Sequence, residues 1–408
     1  MVMAGYKQTD IGVIPEDWEV KKLGDIGNPS MCKRIMKYQT SDMGQVPFYK
    51  IGTFGKKADS YITFELYNEF KNKFSYPKKG DILISASGTI GRIVVFDGIP
   101  SYFQDSNIVW IDNNERIVVN EYLTYIYQVI KWSTEDTTIA RLYNDNLKAI
   151  QIPIPPKQEQ KAIAKALSDT DELISSLEKL IAKKQAIKQG TMQQLLTGKK
   201  RLSGFSGVWE EKSIKDLVST PVTDGPHETP KFLEQGIPFL SVNNLVNNKI
   251  DLTDLRYISK DYDLVCSRKC KPQKYDILLG KAASVGKVAI VTNNLDFNIW
   301  SPIALIRIRQ DNLPLFFYYK FQTKYILSQI ELLTNSSSQG NIGMGDIEKL
   351  KFKFPHDTEE QKAIAKILTD MDNEIESLKT KLAKAKAIED GMMSELLTGK
   401  TRLEVKDE

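Results

Sequence analysis

From Gln158 to Leu196 apolar and polar residues alternate in steps of three and four, and Ile163, Leu167, Ile174, Leu177 and Ile181 mark one apolar stripe. That spacing predicts an amphipathic helix with a stripe narrow enough to be a coiled-coil seam. Pro155 and Pro156 stand at its entry and Gly198 just past its last apolar pair, positions where proline and glycine begin and end helices. The pattern then returns at a constant offset. Ile364, Leu368, Ile375, Leu378 and Leu382 repeat the steps, Pro355 precedes them and Gly399 follows, and Thr170 and Met371 interrupt the two seams at the same place. Over the stretches beginning at Glu159 and Glu360, 26 of 44 positions are identical, more than shared helix composition produces. At ~1.5 Å per residue each helix is roughly 58 Å long. A seam this narrow needs a partner, and the other copy is expected to supply it, the two helices running antiparallel.

Elsewhere the period shortens. "DILIS" and "RIVVF" flank a glycine-containing turn after Gly80, and "DILLG" and "KVAIV" do the same after Tyr275. "SNIVWI" and "IALIRIR" add one strand to each set, and amphipathic helices are predicted for "NEYLTYIYQVIKW" from Asn120 and "LPLFFYYKFQTKYILSQI" from Leu313. Weaker echoes extend the duplication over the whole chain: "DWEVKKLGDI" from Asp17 matches "VWEEKSIKDL" from Val208, and "QVPFYKIGTF" from Gln45 matches "GIPFLSVNNL" from Gly236. The expected fold is α+β: two similar globular domains with mainly antiparallel sheets, residues 1–155 and 201–355, joined by long antiparallel coiled-coil-like helices in residues 156–200 and 356–408, with an internal pseudo-twofold repeat. Similarity is high in the helices and low across the globular parts, so the two domains share a fold but not a surface.

Composition narrows the function. The chain has 408 residues, too many for one ordinary core, with 41% hydrophobic and 26% charged residues. No run of 18 apolar residues occurs and the start has no apolar segment of signal-peptide type, so a soluble, cytoplasmic protein without membrane contact is expected. Net charge is +4, and the first globular segment balances 18 basic against 18 acidic side chains, so any nucleic acid must be met by local patches. Cys32, Cys266 and Cys270 with His227 and His356 cannot complete a four-ligand metal site, and free thiols are expected. No G-x-G-x-x-G opens a βαβ unit, and no acidic or asparagine Pro-Pro-aromatic tetrapeptide of amino-methyltransferases occurs. "GKAASVGKV" from Gly280 approximates a phosphate loop, but its glycines are one residue too far apart and Val288 replaces the magnesium-binding Ser or Thr. A structural turn is the reading, and no catalytic residue is expected.

Two variable globular modules, each followed by a near-identical helix with a Pro–Glu-Gln entry, resemble the specificity subunit of Type I restriction–modification enzymes. The resemblance rests on "IPIPPKQEQKAIAKAL", "FKFPHDTEEQKAIAKIL", the two "LLTGK" ends and "TDGPHETP" from Thr223. His356 and Asp357 depart from the pattern at the second entry. The resemblance implies that each module reads one half of a split double-stranded DNA target while the helices set the gap and dock two methyltransferase subunits. Those partners would bring S-adenosylmethionine, and two motor-nuclease subunits would bring ATP and magnesium, leaving no cofactor on this chain. The alternative is a structural adaptor that spaces two protein-binding modules without touching DNA.

Candidate DNA contacts come from the residues themselves. Lys33, Arg34 and Lys37 cluster in an aperiodic segment, where arginine suits guanine edges and lysine suits phosphates. Thr223, His227, Thr229 and Lys231 lie in a loop punctuated by proline and glycine. The turns carrying Ser87, Thr89 and Arg92, and Lys281, Ser284 and Lys287, are further candidates. Asn243, Asn244 and the "NSSSQGN" loop from Asn335 are weaker ones.

Overall fold

The computed structural model describes residues 4–132, 142–335 and 340–403. It divides into two compact units, one of residues 1–178 with 380–408, the other of residues 179–379. The long helices span Lys157–Leu195 and Thr358–Leu396, so each begins in one unit and ends in the other. The units therefore do not follow the linear order of globular domain, helix, globular domain, helix.

In the first unit four antiparallel strands lie in the order Gly27–Ser30, Ile108–Asn113, Ile82–Ser85, Ile93–Val95. The second unit repeats the order with Thr223–Asp224, Ile303–Ile306, Ile277–Gly280 and Val288–Ile290. Even the register is kept, Ile108 facing Ser85 and Ile303 facing Gly280. Each unit adds a three-stranded sheet, and in each one pair is parallel: Val46–Tyr49 with Tyr102–Phe103, and Ile237–Leu240 with Asn298–Ile299. Mainly antiparallel sheets are thus observed, with that one exception per unit. The helix expected from Leu313 is broken. It runs as Pro314–Phe321 and Lys324–Asn335, the amides of Gln322 and Thr323 closing the first piece on the Tyr319 and Lys320 carbonyls in tightened three-residue steps.

Ile163 and Leu167 are not seam residues alone. They enter the first unit's core with Trp18 and Tyr122, together with Leu396 and Leu397 from the end of the other long helix. Ile364 and Leu368 do the same in the second unit, with Phe316, Phe317, Leu195 and Leu196. Further along, Ile174, Ile181 and Ile375 are buried, while Leu177, Leu378 and Leu382 are half-buried. The antiparallel direction is fixed within each unit by ion pairs: Glu178 with Lys386 in the first, Lys184 with Glu374 and Lys188 with Asp372 in the second.

The duplicated entry and exit motifs meet. In the first unit Arg402 grips Glu159 with Nε at 2.6 Å and Nη2 at 2.8 Å, and holds Asp17 at 2.9 and 2.8 Å. In the second, Arg201 grips Glu360 at 2.5 and 2.6 Å. Two-pronged guanidinium–carboxylate pairs are among the strongest charge-assisted contacts. Gln160 and Gln361 are buried beside them, each accepting one backbone N–H (Val119, Leu313) and donating to the proline carbonyl at the helix entry (Pro155, Pro355). Gly399, at φ 70°, must be glycine: a Cβ there would lie 2.5 Å from Pro15 and 3.2 Å from Trp18. The sequence is duplicated because each unit is built from the start of one helix and the end of the other.

Candidate nucleic-acid interface

In the second unit the strand Thr223–Asp224 runs into the loop that carries the proline-punctuated candidates. Gly225 lets the backbone pass the Ile299 carbonyl, which a Cβ would strike at 1.7 Å. Asp224 is fully buried and draws two lysines and a histidine: Lys269 Nζ at 2.6 Å on Oδ1, Lys281 Nζ at 3.0 Å and His227 Nε2 at 3.2 Å on Oδ2. Neither contact on Oδ2 has the alignment of a hydrogen bond. Burial pushes the Asp224 carboxyl up, but the Lys269 hydrogen bond and the close charges of Lys269 and Lys281 outweigh it and hold the group below the usual carboxylate range. Of the sequence-predicted residues, His227 and Lys281 are brought together here. Thr229 and Lys231 are exposed on the same loop and Thr223 is half-buried. Lys269 and Asp224 were missed, since nothing in a local pattern links residues so far apart.

The Lys281–Lys287 turn is the structural turn its spacing suggests. Lys281, Ser284, Gly286 and Lys287 donate their amides to the carbonyls of Pro302, Ala282, Gly280 and Ser284. Lys287 is exposed and Ser284 half-buried. Asn243 is exposed, but Asn244 is not a groove reader. It is buried, its Oδ1 accepts the Ser241 amide and its Nδ2 donates to the Asp251 and Asp254 carbonyls, so it staples its own turn. Ser336–Gln339 of the "NSSSQGN" loop lie outside the described residues.

In the first unit Lys33, Arg34 and Lys37 are all exposed. Lys33 lies 5.2 Å over the Phe74 ring and Arg34 pairs with Asp105 at 2.8 Å. Met36, Tyr38 and Met43 stand exposed in the same segment, and Tyr38 is a residue that a search for charges alone overlooks. The neighbouring turn is tied inward: Ser87 Oγ donates to Asn107 Oδ1 at 2.8 Å and Arg92 Nη1 to the Phe54 carbonyl at 3.0 Å. Thr89 is exposed. Arg92 thus acts first as a staple.

Strand register makes the two faces comparable. Ser30 opposite Trp110 corresponds to Thr223 opposite Leu305, so Met31 takes the place of Asp224 and Ala86 that of Lys281. One scaffold presents different chemistry at matched positions.

Cys32, Cys266 and Cys270 are buried, and burial pushes the Cys32 and Cys270 thiols up to about 12. Among the described residues no group of three or more His, Cys, Asp and Glu could hold a metal ion, and no helix is long and apolar enough to cross a membrane.

A family model described as "Type I restriction modification DNA specificity domain" matches residues 15–189 and 207–387. A putative type I restriction enzyme specificity subunit of Haemophilus influenzae is 60% identical over 165 residues, 40% of this chain and 43% of that one. The putative MjaX specificity subunit of Methanocaldococcus jannaschii is 28% identical over 98% of this chain and 97% of its own length. The crystal structure of a Type I restriction-modification S subunit from M. genitalium shares the fold, with a TM-score of 0.63 at 18% identity over 98% of this chain and 99% of that one. With the family model matching both halves of the duplication, the chain belongs to the Type I restriction modification DNA specificity family.

Proposed function

We propose that the chain is the sequence-reading subunit of a cytoplasmic Type I restriction–modification complex, each unit reading one half of a bipartite duplex target. The observation that carries this reading is the preserved scaffold with exchanged face: equal strand order and register, yet Asp224 and Lys281 where the first unit has Met31 and Ala86. A dimeric reader is limited to matching half-sites, and a duplicated chain is not. Lys33, Arg34, Lys37, Tyr38 and Thr89 would meet one half, and Thr223, His227, Thr229, Lys231, Asn243, Lys269, Lys281 and Lys287 the other. In this reading the long helices set the gap. They also dock two methyltransferase subunits, a role supported by Leu173, Leu180 and Ile187, exposed seven residues apart on the first helix. The methyltransferases would carry S-adenosylmethionine, two motor-nuclease subunits would carry ATP and magnesium, and this chain would contribute recognition without chemistry. A spacer that never touches DNA is disfavoured by the divergence of the two faces. The test is methylation mapping in cells carrying the chain with its cognate methyltransferase. A split motif, half of which changes when residues 203–355 are exchanged for another module, is expected. Methylation independent of that exchange would refute the reading.

A further inference from the structure

The carboxylate of Asp224 cannot touch a ligand, for its side chain has no exposed surface. Its three partners can. Lys269 and His227 keep 51% and 69% of their side-chain surface open, and Lys281 keeps 14%. They come from three places: the loop after Thr223–Asp224, the chain just past the helix Lys260–Ser267, and the turn after the strand Ile277–Gly280. A buried carboxylate needs one counter-charge to be tolerated, and this one gathers two lysines and a histidine. The surplus is positive and faces outward. Each lysine ammonium has three donors, so donors remain once Asp224 is satisfied. Nor does the scaffold demand the cluster. The first unit builds the same four strands with the uncharged Met31 and Ala86 at the positions of Asp224 and Lys281, while Arg34, in the loop that follows, pairs with Asp105.

We infer that Asp224 is a positioning residue for half-site recognition: it fixes Lys269, Lys281 and His227 as a preorganised array that grips a backbone phosphate of the duplex bound by the second unit. The inference rests on the reading of that unit as a half-site reader. Phosphate is the partner because ammonium groups act as compact point charges, and the array has no arginine fork of the kind that pairs two-pronged with a guanine edge. Phosphate contacts set the register in which neighbouring groups read bases, so the effect on recognition is indirect but large.

The variant Asp224→Met/Lys281→Ala installs the residues of the first unit's matching positions and leaves net charge unchanged. Because Met31 is exposed and Asp224 buried, thermal unfolding of the variant is measured alongside. The experiment measures binding of the full chain to a duplex carrying its mapped target over a salt series. We expect affinity to fall about tenfold and the slope of log K against log salt to shrink by about 0.9, the value of one phosphate contact. Asp224→Asn supplies an opposing sign. It raises net charge by one, so a simple field effect tightens binding to any duplex, whereas loss of positioning weakens binding to the target. Lys269→Gln, at an exposed site that leaves Lys281 on the carboxylate, should lower the slope by a similar amount. Target binding and slope equal to wild type in the double variant, or tighter target binding by Asp224→Asn, would overturn the inference. A wild-type chain that binds no duplex would instead overturn the function on which it rests.

Discussion

In the first unit Glu389 faces Asp171, carboxyl against carboxyl, whereas the matching positions of the second unit, Lys188 and Asp372, form an ion pair at 2.5 Å. A tyrosine completes each site in the same way: Tyr125 Oη donates to Asp171 at 2.6 Å and Tyr319 Oη to Asp372 at 2.8 Å. The duplication has kept the geometry and reversed one charge.

That reversal predicts a pH effect confined to the first unit. The hydrogen bond with Asp171, then burial, then the charges of Asp171 and Asp390 raise Glu389 to about 7, with Lys386 opposing. The folded value lies above the ordinary one near 4.5, so the folded state holds the extra proton. The contribution is full below about pH 4.5 and is lost as pH rises through about 7. Glu389→Lys recreates the second unit's pair. It should stabilise the chain by about 0.5–1 kcal/mol at neutral pH, the scale of a partly exposed ion pair, and flatten the decline between about pH 5 and 8. Thermal unfolding of both proteins at those two pH values is the check; parallel curves would count against it.

The Arg402–Glu159 clamp should be worth more, because Glu159 is buried and also accepts from Trp18 Nε1 at 3.0 Å. Arg402→Ala leaves that carboxylate without its counter-charge. The expected loss is about 2–4 kcal/mol, somewhat under the figure for a fully buried pair because Arg402 is partly exposed. Arg402→Lys should recover only part, since an ammonium cannot serve Glu159 and Asp17 with a planar fork. Denaturant midpoints for the two variants decide between the fork and simple charge.

Lys320 gives the second unit its own pH signature. It is buried, donates to the Leu196 and Lys353 carbonyls at 2.7 and 2.6 Å, and burial, aided by the charge of Lys353, lowers it to about 7. An unfolded lysine stays protonated to about 10.4, so from about pH 7 upward the unfolded state binds the extra proton and stability rises with pH. Below about 7 both states are charged and the effect disappears. Lys320→Met, which approximates the Ile126 of the first unit, should cost stability through two unsatisfied carbonyls yet remove the rise between about pH 7 and 8.5. A variant that keeps the wild-type slope would show that another group titrates there.

How far the sequence could be read depends on the range of each interaction. Helix periodicity and turn residues are local, and the long helices, their glycine stops and most strands were legible. The identity of "EQK" and "TGKxRL" across the copies was plain, but its cause was not: Arg402 and Glu159 are 243 residues apart, and no periodicity connects them. Asp224 with Lys281 is illegible for the same reason, and Asn244 resembles a surface reader in sequence although its amide is spent on its own turn. The broken helix after Leu313 was missed because Gln322 and Thr323 are tolerated within helices and give no local stop signal.

The final prediction concerns the gap between half-sites. Each long helix is continuous across the boundary between the units, so a change in helix length is passed on rather than absorbed by a loop. Four residues inserted after Ala182 add ~6 Å and rotate the remainder of the helix by ~40°. The three- and four-residue steps of the seam return the apolar positions near their old face, so pairing survives with a shifted register. The clamps at the helix ends, Arg402 with Glu159 and Arg201 with Glu360, lie far from the insertion and keep each unit intact. At ~3.4 Å per base pair, the unspecified gap should grow by about one or two base pairs while both half-sites keep their bases. Methylation mapping of the insertion variant reads this directly. A constant gap with altered bases would mean that the reading faces, and not the helices, measure the DNA.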